Sequence, residues 1–385
     1  MNFKSFLRNF YLTTFFYDFV FAYAVYNVLF NLKGLSIFQI SLLLMWWSST
    51  TILLEVPSGA LADYWSRRNL LVISPLIKSL CFASWFFADG NFYLYALGFL
   101  FWTIGSTMRS GTEEAFLYDS LVKFKRQKDY EKILGRKKVY LTLAIGVSSL
   151  LGGLIASYNL DLVLLASILP ILLSSFFAIL LVDPPKQEST KETKYLEYIK
   201  IAFQEVKSNK LLRYFFIYLI SISVFGNLEE FDQLYYKLAE IPLFLFGFIS
   251  FAGSGLAALA GWLAYKFKSI KSIIYLSPLL ASIMLLLIGL KPSFVMVALL
   301  VISAVVVIPA DVLLEAKMQR EIKSNSRATV ISIKTLVLEV FAVLCTFGVG
   351  LVSKYLEFQN AYIILGVFLF LFSIWVFAKR KIIYN

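Results

Sequence analysis

Histidine is absent from the 385 residues. The commonest metal ligand, and the one side chain that titrates near neutrality unaided, is therefore unavailable. Cysteine is nearly absent: Cys81 and Cys345 both lie inside apolar runs. Two such residues make neither a disulfide framework nor a CxxC zinc site, and they read as small apolar fillers of helix surface. Charge is scarce too, at 16% of residues, against about 25% in soluble domains. Nothing fits the nucleotide loop GxxxxGK[ST], so the chain does not draw energy from ATP by itself. A Ser–His pair or a catalytic Asp pair, as an intramembrane protease needs, is not evident. No metal, cofactor or enzyme activity is expected, and a cytosolic enzyme, a disordered tail and a disulfide scaffold are excluded.

What is present is apolar. Hydrophobic residues make up 59% of the chain and aromatic residues 17%. A run needs roughly 20 residues to cross the hydrocarbon core. Twelve qualify: 10–32, 38–61, 70–88, 92–114, 139–157, 160–182, 211–228, 244–265, 271–290, 292–314, 329–352 and 359–378. All are expected to be helices, because lipid offers no partner to an open backbone. The first run has no small-residue cleavage site and reads as a retained span.

Lys and Arg give the orientation. The loops on the N-terminal side hold 28 of the 36 basic residues and the opposite loops hold four, Lys33, Lys237, Lys291 and Lys354. Both termini are thus expected in the cytoplasm, and the net charge of +12 is explained without a nucleic-acid partner. Asp183-Pro184-Pro185 ends the sixth span, and a mixed-charge stretch follows. The expected layout is a six-helix bundle over 1–182, a cytoplasmic linker over 183–210 and a second six-helix bundle over 211–385. Within the linker, 195–206 reads either as an interfacial helix or as solvated chain. Gly59-Ala-Leu-Ala62-Asp63 recurs as Gly261-Trp-Leu-Ala264-Tyr265, and Glu114-Ala115 as Glu315-Ala316, at equivalent places in the two halves. That pattern suggests a duplicated bundle, and parallel repeats place a binding site near the midplane between the halves.

Gly59, Leu61, Ala62, Asp63, Arg67 and Arg68 resemble the loop 2–3 signature of the major facilitator superfamily, with Ser66 where the family usually has Gly. Ser110-Gly-Thr-Glu113-Glu114-Ala-Phe-Leu-Tyr118-Asp119-Ser120-Leu121 is similar to the span-four ending of its bacterial drug-efflux-like branch, and Asn325 to Ser332 fits that branch too. The resemblance implies an all-α integral membrane fold of twelve helices in two pseudo-symmetric six-helix bundles. It also implies alternating-access transport, with Asp63, Arg67 and Arg68 as a cytoplasmic latch; the alternative is that the two arginines only set topology. Gly59 is expected to let two helices approach closely. Tyr265 replaces the Asp in the second copy, which implies a weak or absent second latch. Two antiporter signatures are missing. Ser148 to Gly153 lacks the Gly-Pro of the span-five element, and Arg109 is out of register with the expected Arg, since Thr107 stands four residues before Gly111.

Charges within spans cost about 2.5–3.5 kcal/mol on insertion scales unless paired or wetted. Asp18 in span one is expected on a stripe with Thr14, Ala22 and Val25. Glu55 shares a small, polar stripe with Ser48, Thr51, Ser58 and Gly59. Glu339 shares one with Ser332, Thr335, Ala342 and Thr346, and Lys78 in span three lies too deep to snorkel. Without His, a proton relay must use carboxylates. Asp18, Glu55, Lys78 and Glu339 are therefore the candidates for substrate or proton binding; the alternative is a permanent pair of Lys78 with Asp18 or Glu55. Arg109, Glu113, Glu114 and Asp119 join the cytoplasmic gate, with Asp311 and Glu315 at the equivalent end of span ten. The alternative is plain interfacial charge. The aromatic residues of span one line either a pocket or a lipid face.

The expectation is a monomeric multi-pass protein of the plasma or inner membrane, whose partners are a small-molecule substrate, protons and the lipid bilayer. The favoured activity is proton-coupled export, an antiport, of a small amphipathic molecule. The alternatives are a proton-coupled nutrient importer and a non-transporting, receptor-like protein with the same fold.

Overall fold

The computed structural model describes residues 1–184, 207–267, 270, 272–321 and 327–380. The linker stretch 195–206 and the motif residues Asn325 and Ser326 lie outside them. So do the side chains of Asp63 and of the motif residues Arg327, Ala328, Thr329, Ile331 and Ser332. Among the described residues the regular structure is helical throughout. The helices are α1 (Phe3–Tyr17), α2 (Tyr26–Leu32), α3 (Ile37–Tyr64), α4 (Arg67–Phe86), α5 (Phe92–Arg109), α6 (Thr112–Lys123), α7 (Tyr130–Tyr158) and α8 (Leu160–Ile179). Then follow α9 (Lys210–Ile222), α10 (Val224–Glu229), α11 (Asp232–Leu238), α12 (Leu243–Leu263), α13 (Ile273–Leu290), α14 (Phe294–Glu321), α15 (Arg327–Tyr355) and α16 (Asn360–Ala378).

Local chemistry sets the ends. Ser36 and Gln39 form a reciprocal capping box at the start of α3, and Ser66, Asn91, Asn159 and Asn209 cap α4, α5, α8 and α9 with their side chains. Each cap satisfies backbone N–H groups that the first helical turn leaves without partners.

Among the described residues ten helices are long and apolar enough to cross a membrane. The other two expected crossings depart from the sequence reading. Span one is not a continuous helix over 10–32: α1 stops at Tyr17, a 3-10 turn occupies Phe21–Ala24, and α2 resumes at Tyr26. Span four does not run to residue 114. It ends at Arg109, and Gly111, at φ +66°, turns the chain into α6. The left-handed region is open to glycine at no steric cost, which is why the kink falls there.

The chain divides into two compact units, Met1–Thr190 with Pro242–Phe251, and Lys191–Ile241 with Ala252–Asn385. In the first, α4 packs along α5 and α8, α3 along α5, and α1 along α8 and α7. One end of it is closed by a buried apolar cluster that includes Phe6, Phe10, Leu71, Phe116, Leu121 and Ala178. Its other half holds an aromatic cluster in which Trp85 packs against Tyr26, Phe30, Phe99 and Trp102. In the second, α13 packs along α16 and α14.

Glycine contacts correct one expectation. A Cβ on Gly59 would meet nothing within 4 Å, so Gly59 is not a point of close helix approach. Close approaches occur at other glycines, among them Gly105, where a Cβ would sit 2.7 Å from the Ser74 carbonyl oxygen, and Gly152, where it would overlap that of Phe21.

Candidate functional site

The break in span one positions the site. A backbone freed from its helix inside lipid must find other partners. Two neighbouring helices supply them. Ser167 of α8 accepts the Ala22 N–H at 3.1 Å, Ser174 donates to the Thr13 carbonyl at 2.7 Å, and Lys78 of α4 donates to the Tyr17 carbonyl at 3.1 Å. Gly152 of α7 leaves room for the Phe21 carbonyl. Because α1 ends at Tyr17, Asp18 does not share a stripe with Ala22 and Val25; it caps the helix at the edge of the break.

Asp18 faces Lys78. The Lys78 ammonium lies 3.3 Å from Asp18 Oδ1 and donates to Tyr23 Oη at 3.2 Å, while Tyr23 Oη donates to Asp18 Oδ1 at 3.0 Å. With the Tyr17 carbonyl, all three ammonium donors have acceptors. Lys78 is 1% exposed, and its charge also lies 4.0 Å from the centre of the Tyr17 ring and 5.0 Å from that of Trp102. Cation–π contacts of this kind strengthen as water is excluded.

A second cluster adjoins the first. Arg109, at the end of α5, is 6% exposed and stacks on the same Tyr17 ring at 4.2 Å. It donates to Glu113 at 2.5 and 3.3 Å. Glu113 also accepts from Thr14 at 2.5 Å and pairs with Lys137 of α7 at 2.9 Å. Thr14, expected beside Asp18, thus serves Glu113. Glu114 is exposed, 4.0 Å from Lys137.

The third cluster joins helix ends. Arg67 pairs with Asp119 of α6. Ser66 donates its hydroxyl to Asp183, and the Arg68 N–H donates to the same carboxylate at 3.0 Å. The Arg68 guanidinium donates to the Ile179 carbonyl at 2.6 Å, at the end of α8. Asp183 thereby places a negative charge at the N-terminus of α4, where the helix dipole favours it.

The remaining candidates lie apart. Glu55 accepts from Ser110 at 2.8 Å and does not meet Lys78. Glu339 is half-buried on α15. Glu315 pairs with Lys334 at 2.8 Å. Tyr17, Tyr23, Lys137 and Asp183 are not marked as site residues by the sequence pattern. Lys137 carried only a topological signal, Asp183 only that of a helix stop, and Tyr17 and Tyr23 are two aromatics in a run of them.

The paired charges at the break of span one sit among helices long and apolar enough to cross a membrane. The model of the Major Facilitator Superfamily matches residues 10–346, and the chain belongs to that family. No curated protein matches it. Among solved structures, the nucleoside transporter NupG is 15% identical over the whole of both chains, with a TM-score of 0.80. A bacterial homologue of the human lysosomal transporter Spinster, inward-facing and unoccupied, is 16% identical over 98% of this chain and 97% of that one, with a TM-score of 0.76. The inward-open xylose transporter XylE from E. coli is 13% identical over 97% and 95%, at 0.68. At such identities the likeness is one of fold, and the fold hosts many cargoes.

Proposed function

We propose that the chain is a proton-coupled secondary transporter that moves a small amphipathic molecule by alternating access, in the sense of export. Its place is the plasma or inner membrane, with both termini in the cytoplasm, as the distribution of Lys and Arg requires. The observation that carries the reading is the Asp18–Lys78 pair at the break of span one. A buried pair is held only while both charges are present, and removing one leaves the other uncompensated. A proton arriving on Asp18 therefore frees Lys78 from its partner, and a substrate or a helix movement can exploit that change. Broken helices at membrane depth are tolerated where they line a cavity, which gives the proton and the cargo a shared route.

The gate in this reading is the set Asp63, Arg67, Arg68, Arg109, Glu113, Glu114 and Asp119. The pairs Arg67–Asp119 and Arg109–Glu113 tie helix ends together, and breaking them loosens that side of the first unit. Export rests on the resemblance of Ser110 to Leu121 to the drug-efflux-like branch. A second reading, proton-linked uptake of a nutrient, is favoured by the shared fold with a D-xylose–proton symporter, 13% identical with a TM-score of 0.69.

Flux in liposomes under an imposed pH gradient tests both. Export predicts accumulation opposite to proton flow, and uptake predicts the same sense. Gradient-dependent flux that persists in Asp18→Asn removes Asp18 from the coupling role. A complete absence of flux across a broad substrate screen removes transport itself.

A further inference from the structure

The N-terminal ends of α1 and α7 lie side by side. Phe6 and Phe10 of α1 share a buried cluster with Ile133 of α7, and Tyr130, the first residue of α7, packs against it. Further along, the rings of Tyr11 and Tyr140 stack at 4.8 Å and 5°. Helical spacing then fixes what flanks the stack. Lys4 and Arg8 stand seven and three residues before Tyr11, and Lys132 and Arg136 eight and four before Tyr140, so each pair shares a face with its tyrosine. All four are exposed. Side chains on a helix lean toward its N-terminus, which carries these past the stack on the same side.

Neighbouring cations are already matched: Arg126 pairs with Asp129 and Lys137 with Glu113. Among the described residues none of Lys4, Arg8, Lys132 and Arg136 forms an ion pair. Arg8 donates only to its neighbour Asn9, at 3.4 Å. Glu131, five residues before Arg136 on α7, faces away from it.

Beneath the four cations sits an unmet donor. Tyr11 is 7% exposed, and its hydroxyl has no hydrogen-bond partner among the described residues. Arg136 is the cation acting most strongly on it, and a guanidinium can only donate. The phenol proton therefore lacks an acceptor beside a positive charge that lacks a counter-ion. One anionic oxygen serves both.

The rest of α7 shows what can bring that oxygen. Beyond Tyr140 the same face is apolar and exposed, at Leu143, Val147 and Leu154. A molecule that fits head and face together has an acidic head and a fatty chain.

We propose that the groove between the N-terminal ends of α1 and α7 binds one anionic phospholipid. Arg8, Arg136 and the Tyr11 hydroxyl hold its phosphate, and a fatty chain lies on the apolar face of α7. Basic clusters next to a span attract acidic lipids. A zwitterionic headgroup would bring its own cation against Lys4 and Lys132, which selects phosphatidylglycerol over phosphatidylcholine. The site is separate from the Asp18–Lys78 pair and does not depend on the direction or coupling of transport.

The test uses the full-length protein in neutral-detergent micelles, titrated with dioleoyl phosphatidylglycerol or dioleoyl phosphatidylcholine. Native mass spectrometry counts the bound lipids. One phosphatidylglycerol should be retained about tenfold or more tightly than phosphatidylcholine. Arg8→Gln/Arg136→Gln should remove that preference. Tyr11→Phe keeps the ring stack and should weaken phosphatidylglycerol severalfold while leaving phosphatidylcholine unchanged. Lys123→Gln/Lys138→Gln removes as much charge at exposed positions outside the groove, and should keep the preference. Glycerol 1-phosphate, a headgroup without chains, should not displace the lipid at equal concentration. Equal retention of the two lipids, a preference that survives Arg8→Gln/Arg136→Gln, an equal loss in both double variants, or displacement by glycerol 1-phosphate overturns the site.

Discussion

Lys78 and Arg109, on different helices, share one aromatic ring: the Lys78 ammonium lies 4.0 Å and the Arg109 guanidinium carbon 4.2 Å from the centre of Tyr17. Each cation is paired away from the other, Lys78 with Asp18 and Arg109 with Glu113. The ring therefore joins the break in span one to the hub at the start of α6. Two like charges this close persist because each has its own carboxylate and the π face between them is attractive to both.

Removing one member of the buried pair should cost more than removing both. Lys78→Met leaves Asp18 with the Tyr23 hydroxyl alone, and a broken buried pair costs about 3–5 kcal/mol. The double variant Asp18→Asn/Lys78→Met should recover most of that loss. Unfolding titrations in mixed micelles across the four proteins measure the coupling, and additive single effects would show that the pair is not held as described.

Gly152 and Gly59 should respond oppositely to alanine. At Gly152 the new methyl overlaps the Phe21 carbonyl, so the backbone must move, at a cost of about 1–3 kcal/mol as for other overpacked sites. At Gly59 the methyl meets nothing, and the change should stay within about 0.5 kcal/mol. Thermal unfolding of the two variants checks the contrast.

Asp183 should matter although it lies beyond the last turn of α8. Asp183→Ala strips an acceptor from the Ser66 hydroxyl and the Arg68 N–H, a loss comparable to a helix cap, about 1 kcal/mol. Hydrogen exchange of the first turn of α4 should accelerate in this variant, and exchange at the start of α5 should not.

On the opposite side of the first unit, Lys33 donates to Asp161 at 3.0 Å and to Asp89 at 3.3 Å, binding two loops and the first turn of α8 with one cation. The hydrogen bond to Asp161 raises the Lys33 pKa above the ordinary lysine value; burial opposes it and Asp89 adds to it. A raised lysine contributes stability that is complete below the unfolded value, about 10.4. That contribution is lost as pH climbs through the folded value. Lys33→Met should abolish this alkaline component of the unfolding midpoint and little else, because the side chain is 27% exposed and such pairs contribute about 1 kcal/mol or less.

Hydropathy made the helices legible, since a run of apolar residues has few other fates in a bilayer. The acids and cations of the interior were legible for the same reason: each is conspicuous against its surroundings. The break at Asp18 was not. No Pro or Gly marks residues 10–32, and the groups that satisfy the open backbone come from Lys78 and Ser167, with room left by Gly152, all far along the chain. Gly59 misled because a small residue shows only that helices can approach there.

The amino-acid order alone determined that this chain crosses lipid repeatedly, and it marked which charged residues must be accommodated inside. Tertiary structure decided which carboxylate meets which cation, where two helices interrupt themselves, and which glycines carry backbone contact. Burial cost is a property of each residue and can be read in one dimension; pairing depends on distances between segments that only folding brings together.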